Sequence, residues 1–278
     1  MRLPSLFISH GSPMMALEPS AARDYLSALG GKLPRPKAIL VASAHHDASG
    51  TGGRATVTSS AMPETVHDFG GFPQALFDMR YPASGDPDLA ARVENILSRH
   101  GVDVSSDPTR GLDHGAWVPL SLVYPDADIP VVQVSIFSSA PPEWHYALGA
   151  ALAPLRDEGV LIIGSGSITH NLRAVFGGGR ENLSPTDPIV TEFTDWVEDR
   201  VRHDAVDDRV QKNAVDDLLH MVERGPHGAF HHPTMDHILP FHVAMGAGGD
   251  GQHLHGKRLH HSSTYGVLGM DVYAFGAD

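Results

Sequence analysis

Three runs of apolar residues along the chain each lead to a histidine through small residues. Residues 5–9 lead directly to His10, residues 38–44 lead to His45, and residues 160–164 lead through a Gly- and Ser-rich segment to His170. Continuous apolar runs of this length, flanked by Gly, Pro and Ser, predict fully buried strands. If these strands lie in one parallel sheet, the three histidines emerge at its carboxyl edge, where open α/β folds place their sites.

Helical patterns alternate with the strand patterns. Helices are predicted over about 19–29, 87–100, 141–156, 185–202 and 234–246, with further strands over 129–136 and, with one polar face, 264–275. Parallel strands need crossover connections, and helices then cover both faces of the sheet. The pattern therefore predicts an α/β fold, a single domain over 1–278 with a largely parallel central sheet and helices on both faces.

Composition narrows the class of protein. The chain has 278 residues, of which 41% are apolar and 19% charged, as in an ordinary soluble globular protein. Its net charge of −13 argues against nucleic acids and anionic membranes as partners, because both bind basic surfaces. The absence of cysteine excludes disulfides and thiolate metal sites, and with no signal-peptide pattern at the N-terminus we expect a cytoplasmic protein.

Further histidines follow turn signals elsewhere in the chain. His114 lies between Asp113 and Gly115 in a segment expected to be a loop before a short helix, where the aspartate can bias the protonation of its neighbour. His237 follows Pro233 and is expected in the first turn of the helix over 234–246. Each segment alone is also compatible with a purely structural role for its histidine, such as a strand-end cap or a place in a buried polar loop.

The remaining histidines are weaker candidates. His231 and His232 are expected to be solvated loop residues, and His145 a structural residue on a helix. The segment His67-Asp68-Phe69 is a candidate for a pocket wall. A last group is expected mostly at the surface and comprises His253, His255, His260 and His261.

Converging imidazoles indicate a metal site. Two histidines with a carboxylate, or three histidines, leave open positions that suit Fe(II) or Zn(II). The ligands would come from distant parts of the chain, so their spacing leaves the number open. A Gly-x-Ser-x-Gly nucleophile elbow and a His-Glu-x-x-His motif are both absent from the sequence.

Taken together, these motifs resemble those of the class III extradiol ring-cleavage dioxygenases, in the bacterial branch similar to 4,5-DOPA dioxygenase. The matching segments run in family order across nearly the whole chain: 6–13, 43–45, 67–73, 113–117, 124–130, 170–173 and 233–237.

The resemblance implies one mononuclear metal, Fe(II) or Zn(II), and a role for each of five histidines. His10 and His45 match two ligand positions, and His237 matches the third, where protocatechuate-type relatives carry a glutamate. His170 matches the acid/base position, which in some members lies close enough to count with the ligands. His114 matches a histidine that faces substrate or oxygen.

The expected reaction is the opening of a small aromatic diol by O2, in which His170 takes the second catechol proton and His170 or His114 later returns one. Two alternatives remain: a zinc hydrolase in which the same histidines activate water, and a non-catalytic binding protein on the same fold, as in the Memo proteins. Arg173 is a candidate partner for an acidic substrate only by its proximity to His170. The sequence leaves the catechol and the oligomeric state open.

Overall fold

The computed structural model describes residues 2–50, 53–202, 208–249 and 254–276. Its strands are β1 (Ser5–Ser9), β2 (Ala38–Asp47), β3 (Ala55–Thr58), β4 (Val104–Asp107), β5 (Val131–Ile136), β6 (Val160–Gly166), β7 (Gly256–His260), β8 (Ser263–Thr264), β9 (Leu268–Gly269) and β10 (Val272–Phe275). Its α-helices are α1 (Ala21–Leu29), α2 (Gln74–Asp78), α3 (Pro87–Arg99), α4 (His114–Val123), α5 (Pro142–Leu152), α6 (Leu172–Gly177), α7 (Pro188–Val201), α8 (Asp208–Leu219), α9 (Met221–Arg224), α10 (Gly228–His231) and α11 (Leu239–Gly248). Short 3-10 helices cover Pro13–Ala16, Gly30–Lys32 and Ala153–Glu158.

Within the described residues, eight strands form a central sheet in the order β4-β3-β5-β2-β6-β1-β10-β7. β6 lies between β1 and β2 and pairs with both in parallel, and β2 pairs in parallel with β5. β10 and β7 extend one edge in antiparallel, and β3 meets β5 in antiparallel. The predicted α/β fold with a largely parallel central sheet is confirmed.

The three apolar runs form adjacent strands because both faces of each strand are covered. Ile39 and Val41 pack with Leu26 and Trp117 of helices α1 and α4 on one face. Leu40, between them, packs on the other face in the layer that contains α5 and α11. Since successive side chains of a strand point to opposite faces, an uninterrupted apolar run fits a strand buried on both sides.

Several predicted boundaries were wrong, and proline explains most of the differences. The helix predicted over 141–156 continues only to Leu152 and gives way to 3-10 turns that begin beside Pro154, and the helix predicted from 185 begins at Pro188. The helix predicted over 234–246 begins at Leu239, which places Pro240 in its first turn, where the missing N–H costs nothing. The tail predicted as one half-polar strand is instead β8, β9 and the fully buried β10.

None of the described helices combines the length and the apolar character needed to span a membrane.

Candidate active site

The five histidines singled out in the sequence lie together at the carboxyl edge of the three central strands. His10 directly follows β1, His45 is the third residue from the end of β2, and His170 lies in the loop after β6. His114 is the first residue of α4 rather than a loop residue. His237 lies in the turn before α11 rather than inside the helix, because the helix starts two residues later.

Three of these imidazoles point their Nε2 atoms at one another. Nε2 of His45 lies 3.1 Å from Nε2 of His10 and 3.3 Å from Nε2 of His237. A metal bonded to imidazole nitrogens at about 2.1 Å holds them about 3.0 Å apart at right angles and about 3.4 Å apart at tetrahedral angles. Both distances from Nε2 of His45 therefore fit ligands of one shared metal ion.

Hydrogen bonds at the opposite ring nitrogen fix two of these histidines in the ligand tautomer. The Ser165 hydroxyl donates to the carbonyl of Gly115, so it accepts a hydrogen bond from Nδ1 of His10 at 3.0 Å. Nδ1 of His237 donates to the carboxylate of Asp236 at 2.5 Å. With the proton on Nδ1, the lone pair of each Nε2 faces the site, as in histidines that bind metals.

Burial keeps the His10 and His45 side chains neutral. Desolvation, with a further contribution from the neighbouring histidines, lowers the pKa of His10 well below its usual value. The same two causes, burial first, lower the pKa of His45 to about 3. Neutral imidazoles are the form that binds metal, so these two side chains need lose no proton to a metal at neutral pH.

Asp68 links two of the histidines. Its carboxylate accepts hydrogen bonds from Nδ1 of His114 at 2.9 Å and from the backbone N–H of His114 at 3.0 Å, and it lies 3.6 Å from Nδ1 of His45. Although burial opposes the change, these bonds lower the pKa of Asp68 to about 2. Asp68 is therefore ionised, and it leaves Nε2 of His114 free.

His170 lies against the outer side of the ligand-type cluster. Its ring stacks on that of His237, with centroids 3.5 Å apart and planes within 8°. Its backbone N–H donates to the carbonyl of His231 at 2.9 Å, which anchors the loop. Burial, followed by the proximity of His237, lowers the pKa of His170 to about 2, so the ring is neutral.

Geometry alone groups the donors in two ways. Ligand atoms of His10, His45 and His114 lie within 4.8 Å of one another, and so do those of His170, Asp236 and His237. His45 belongs to the first group and links it to the second. Its ring centroid lies 3.9 Å from that of His114 and 4.9 Å from that of His237. The five histidines thus form one continuous cluster.

A cavity of about 310 Å³ opens onto this cluster. Four of the histidines line its inner end, and His10 lies beneath them, almost fully buried. The other lining residues are Gly11, Ser12, Pro13, Phe69, Phe72, Leu172, Val175, Phe176, Tyr265 and Leu268. A flat aromatic molecule can therefore reach the histidines through mostly apolar walls.

Comparisons with known proteins agree with this site. Residues 4–275 match the family described as the catalytic LigB subunit of aromatic ring-opening dioxygenase. This chain belongs to that family. The resemblance inferred from the motifs is confirmed, and LigB-family dioxygenases use a metal.

Relatives and a solved structure cover almost the whole chain. A 4,5-DOPA dioxygenase extradiol of Escherichia coli K12 is 44% identical over 90% of this chain and 87% of its own. One of Beta vulgaris is 39% identical over 98% and 96%. The crystal structure of an uncharacterized protein of E. coli K12 matches with a TM-score of 0.76 and 35% identity over 99% of this chain and 100% of that one. This LigB-family protein is an extradiol ring-cleavage dioxygenase.

Several residues that support the dioxygenase site were missed from sequence. Asp113 was expected to act on its neighbour His114. Its carboxylate instead caps α4 and accepts a hydrogen bond from the Ser43 hydroxyl. The His114 ring is bonded by Asp68, which is distant in the sequence. Gln133 and Arg110 bond the other oxygen of Asp113, at 2.7 and 3.2 Å. A short motif could not reveal these partners, although Asp236 stands directly before His237 in the sequence.

Other sequence candidates lie outside the site. His231 and His232 are buried rather than solvated, and their Nε2 atoms contact the carbonyls of Ile189 and Ile168. Of the segment 67–69, expected at a pocket wall, Phe69 lines the cavity, whereas His67 contacts the carbonyl of Met79. His145 is buried, as expected for a structural residue, and accepts a hydrogen bond from the backbone of Phe137.

Of the four histidines expected at the surface, three fall within the described ranges. His255 and His261 are exposed and His260 is partly buried, whereas His253 lies outside the described residues.

Proposed function

We propose that this dioxygenase opens the ring of a catechol-type substrate with O2, at one Fe(II) or Zn(II) held by His10, His45 and His237. The observation that carries the proposal is the convergence of the Nε2 atoms of His10 and His237 on Nε2 of His45, at 3.1 and 3.3 Å. Hydrogen bonds from Nδ1 of His10 and His237 to oxygen acceptors support it. The names of the relatives support a catechol-type substrate.

His237 is preferred to His114 as the third ligand for two reasons. Its Nε2 directly contacts Nε2 of His45, and its Nδ1 is tied to a carboxylate of its own. His114 instead shares its carboxylate with His45. We assign His114 to the substrate or oxygen instead.

When bound, the metal would lower the pKa of the catechol hydroxyls and bring the diol and O2 together. The protein supplies orientation and proton transfer. His170 faces the cavity with a neutral ring and can accept the proton of the second hydroxyl. The negative charge of a catecholate beside the ring would raise that pKa.

His114 would be the second group able to exchange a proton. Its Nδ1–H is held by Asp68, so Nε2 is the atom left for this role. Phe69 packs edge-on against the His114 ring, with centroids 5.6 Å apart, and keeps water from that side. Proton return to the opened product is thus assigned to His170 or to Nε2 of His114.

The net charge of −13 supports small molecules rather than nucleic acids or anionic membranes as partners.

Anaerobic loading with Fe(II), followed by a panel of catechols and air, tests the proposal. We expect a yellow ring-opened product from at least one catechol, and none from His45→Ala treated in the same way. A Zn(II)-loaded sample assayed with the same panel and with simple esters compares the two metals and tests for hydrolase activity. Absence of product from every catechol, with Fe(II) verified in the site, would rule the proposal out.

A further inference from the structure

One residue of the cavity wall has a strained backbone. Tyr265 lines the cavity, and its φ of 53° lies in the left-handed region, which a bulky side chain rarely adopts. Ala127 and His227 also have positive φ, but neither of them lines the cavity. Such strain persists only where the surrounding structure enforces it, and it is concentrated at sites that bind or react. The strained backbone therefore indicates that the position of the Tyr265 side chain matters for function.

Backbone contacts on both sides of Tyr265 hold it in this conformation. Its N–H donates to the carbonyl of Asn182 at 2.9 Å, and the carbonyl of the next residue, Gly266, accepts a hydrogen bond from the N–H of Asp187 at 2.8 Å. The antiparallel pairing of β8 with β9 closes the turn in which Tyr265 lies. Tyr265 is thus held at the cavity wall by the main chain around it rather than by its own side chain.

Two hydroxyl groups lie side by side on this wall. The phenol of Tyr265 lies beside the hydroxyl of Ser12, which also lines the cavity. The Ser12 oxygen accepts a hydrogen bond from the N–H of Met14 at 3.3 Å, so its own proton is available to another acceptor. Burial, followed by the charge of Glu18, raises the pKa of the Tyr265 phenol, which therefore keeps its proton. Glu18 itself lines only a small adjoining pocket and not the cavity.

We propose that Tyr265 and Ser12 bind the carboxylate of the substrate's ring substituent and so orient the catechol ring. This inference rests on the proposed function, which places the two catechol hydroxyls at the histidines. A carboxylate only accepts hydrogen bonds and has two oxygens, so it can take one bond from each hydroxyl. Hydrogen bonds to an ionised acceptor are about twice as strong as those between neutral groups.

The rest of the wall offers a carboxylate no better partner. Outside the histidine cluster, the other cavity-lining residues of the described ranges carry no polar side-chain atom. Arg173, the cation suggested by the sequence, is exposed and is not among them. Ser12 and Tyr265 are both only partly buried, so a carboxylate between them keeps part of its hydration. The two hydroxyls can therefore hold the anion without a cationic side chain.

Removing the phenol oxygen while keeping the ring tests the inference. Tyr265→Phe is assayed as the Fe(II) enzyme with 3-(3,4-dihydroxyphenyl)propanoic acid and with 4-ethylcatechol, which has no carboxylate. We expect kcat/KM for the acid to fall at least about tenfold, mainly through KM, and that for 4-ethylcatechol to change less than about twofold. Anaerobic titration gives the dissociation constants of the same pair independently of turnover, and we expect the same pattern.

Two further variants locate the effect. Ser12→Ala removes the second hydroxyl, and it should lower kcat/KM for the acid at least about threefold more than for 4-ethylcatechol. Tyr25→Phe is the matched control, because it removes the same atom from a tyrosine outside the cavity, whose ring stacks on that of His260 with centroids 4.7 Å apart. It should leave both substrates within about twofold of the original protein.

The outcomes separate the two proposals. Equal losses for the two substrates in Tyr265→Phe, or no loss for either, would overturn the inference while leaving the dioxygenase intact. If unsubstituted catechol and both test compounds give no product with Fe(II) verified, the proposed function fails. The anaerobic dissociation constants then still decide whether Tyr265 binds the carboxylate.

Discussion

Individual hydrogen bonds decide what each histidine of this site can do. A carboxylate can only accept, so Asp236 and Asp68 hold protons on Nδ1 of His237 and His114. Ser165 does the same for His10 because its own proton is committed to Gly115. The chemistry at Nε2 is therefore specified by residues that lie outside the cavity.

The sequence located the five histidines but not the groups that orient them. His10, His45 and His170 could be found because each follows an apolar run that packs into the sheet. The contact between Asp68 and His114 could not be predicted, since the two residues are 46 positions apart and Asp68 lies in a loop with no periodic pattern. Contacts of this kind depend on tertiary folding, which a single sequence does not display.

Replacing His170 by alanine separates acid/base work from metal binding. Since His170 stacks on His237 but is not one of the three converging Nε2 donors, we expect His170→Ala to lower kcat by about 10²- to 10⁴-fold. Metal content, measured by elemental analysis, should fall less than twofold. His237→Ala is the comparison and should lose both. Equal loss of metal and activity in His170→Ala would instead make His170 a ligand.

A second residue-scale prediction concerns His261, which is remote from the cavity. Its Nδ1 donates to buried Asp271 at 3.0 Å, and this hydrogen bond raises the pKa of His261. Because the pKa of His261 is higher in the folded state, its protonation stabilises the fold. The full stabilisation is present below the unfolded-state pKa of about 6.5 and is lost as pH rises through the folded-state pKa. The imidazole is more than one-third exposed to solvent in the fold, so the contribution is below about 1 kcal/mol.

Urea unfolding of the original protein and of His261→Gln measures this contribution. The loss of unfolding free energy should be larger at about pH 5.5 than at about pH 8.5, because only the protonated imidazole pairs with Asp271 as an ion. The same loss at both pH values would show that the charge of His261 is not involved.

Among the elements, β6 positions both His170 and the turn that carries His237. Gly166 at the end of β6 lies under that turn, where an added Cβ would come within 2.1 Å of the carbonyl oxygen of His237. The turn is also held by a hydrogen bond from Ser167 N–H to the same oxygen. A side chain at residue 166 must therefore push the turn, and His237 with it, away from the sheet.

We expect Gly166→Ala to weaken metal binding about tenfold or more, in the range seen when supporting groups of a metal site are changed. Stability should also fall by about 1–3 kcal/mol through overpacking. Gly31→Ala is the matched control, because its Cβ would meet no atom within 4 Å. Metal titration and thermal unfolding of the two variants measure both effects, and unchanged metal affinity in Gly166→Ala would contradict this account.

The start of α11 shows where sequence reasoning about elements failed. The apolar residues around Pro240 predicted a helix from 234, but proline is favoured in the first turn of a helix and costly in its interior. Helix α11 accordingly begins at Leu239, and residues 234–238 form the turn that delivers His237. Pro240 itself was the signal that could have placed the start correctly.

At the scale of the whole molecule, the site joins segments that are far apart in the chain. His10 and His45 come from the first strands of the sheet, whereas His237 is 192 residues beyond His45. The unfolded chain cannot bring these nitrogens together, so a metal that binds all three stabilises only the folded state. Stability should consequently depend on metal concentration.

Metal at a free concentration of about 100 times its dissociation constant stabilises a protein by about 2.7 kcal/mol. For a chain of this size, each kcal/mol raises Tm by about 2–4 °C, so saturating Fe(II) or Zn(II) should raise Tm by about 5–10 °C. A chelator should return it to the starting value. Calorimetry of the original protein, His45→Ala and His261→Gln measures the effect.

The two variants show whether the stabilising metal binds at the three histidines or elsewhere. His45 contacts both other proposed ligands, so His45→Ala should lose most of the shift, whereas His261→Gln, which lies outside the site, should keep all of it. Both variants remove one histidine, and weak binding of metal to surface imidazoles would therefore affect them alike. A shift of equal size in the two would place the metal elsewhere in the molecule. A full shift in His261→Gln with little or none in His45→Ala would tie the stability of the whole fold to the three nitrogens at the edge of its sheet.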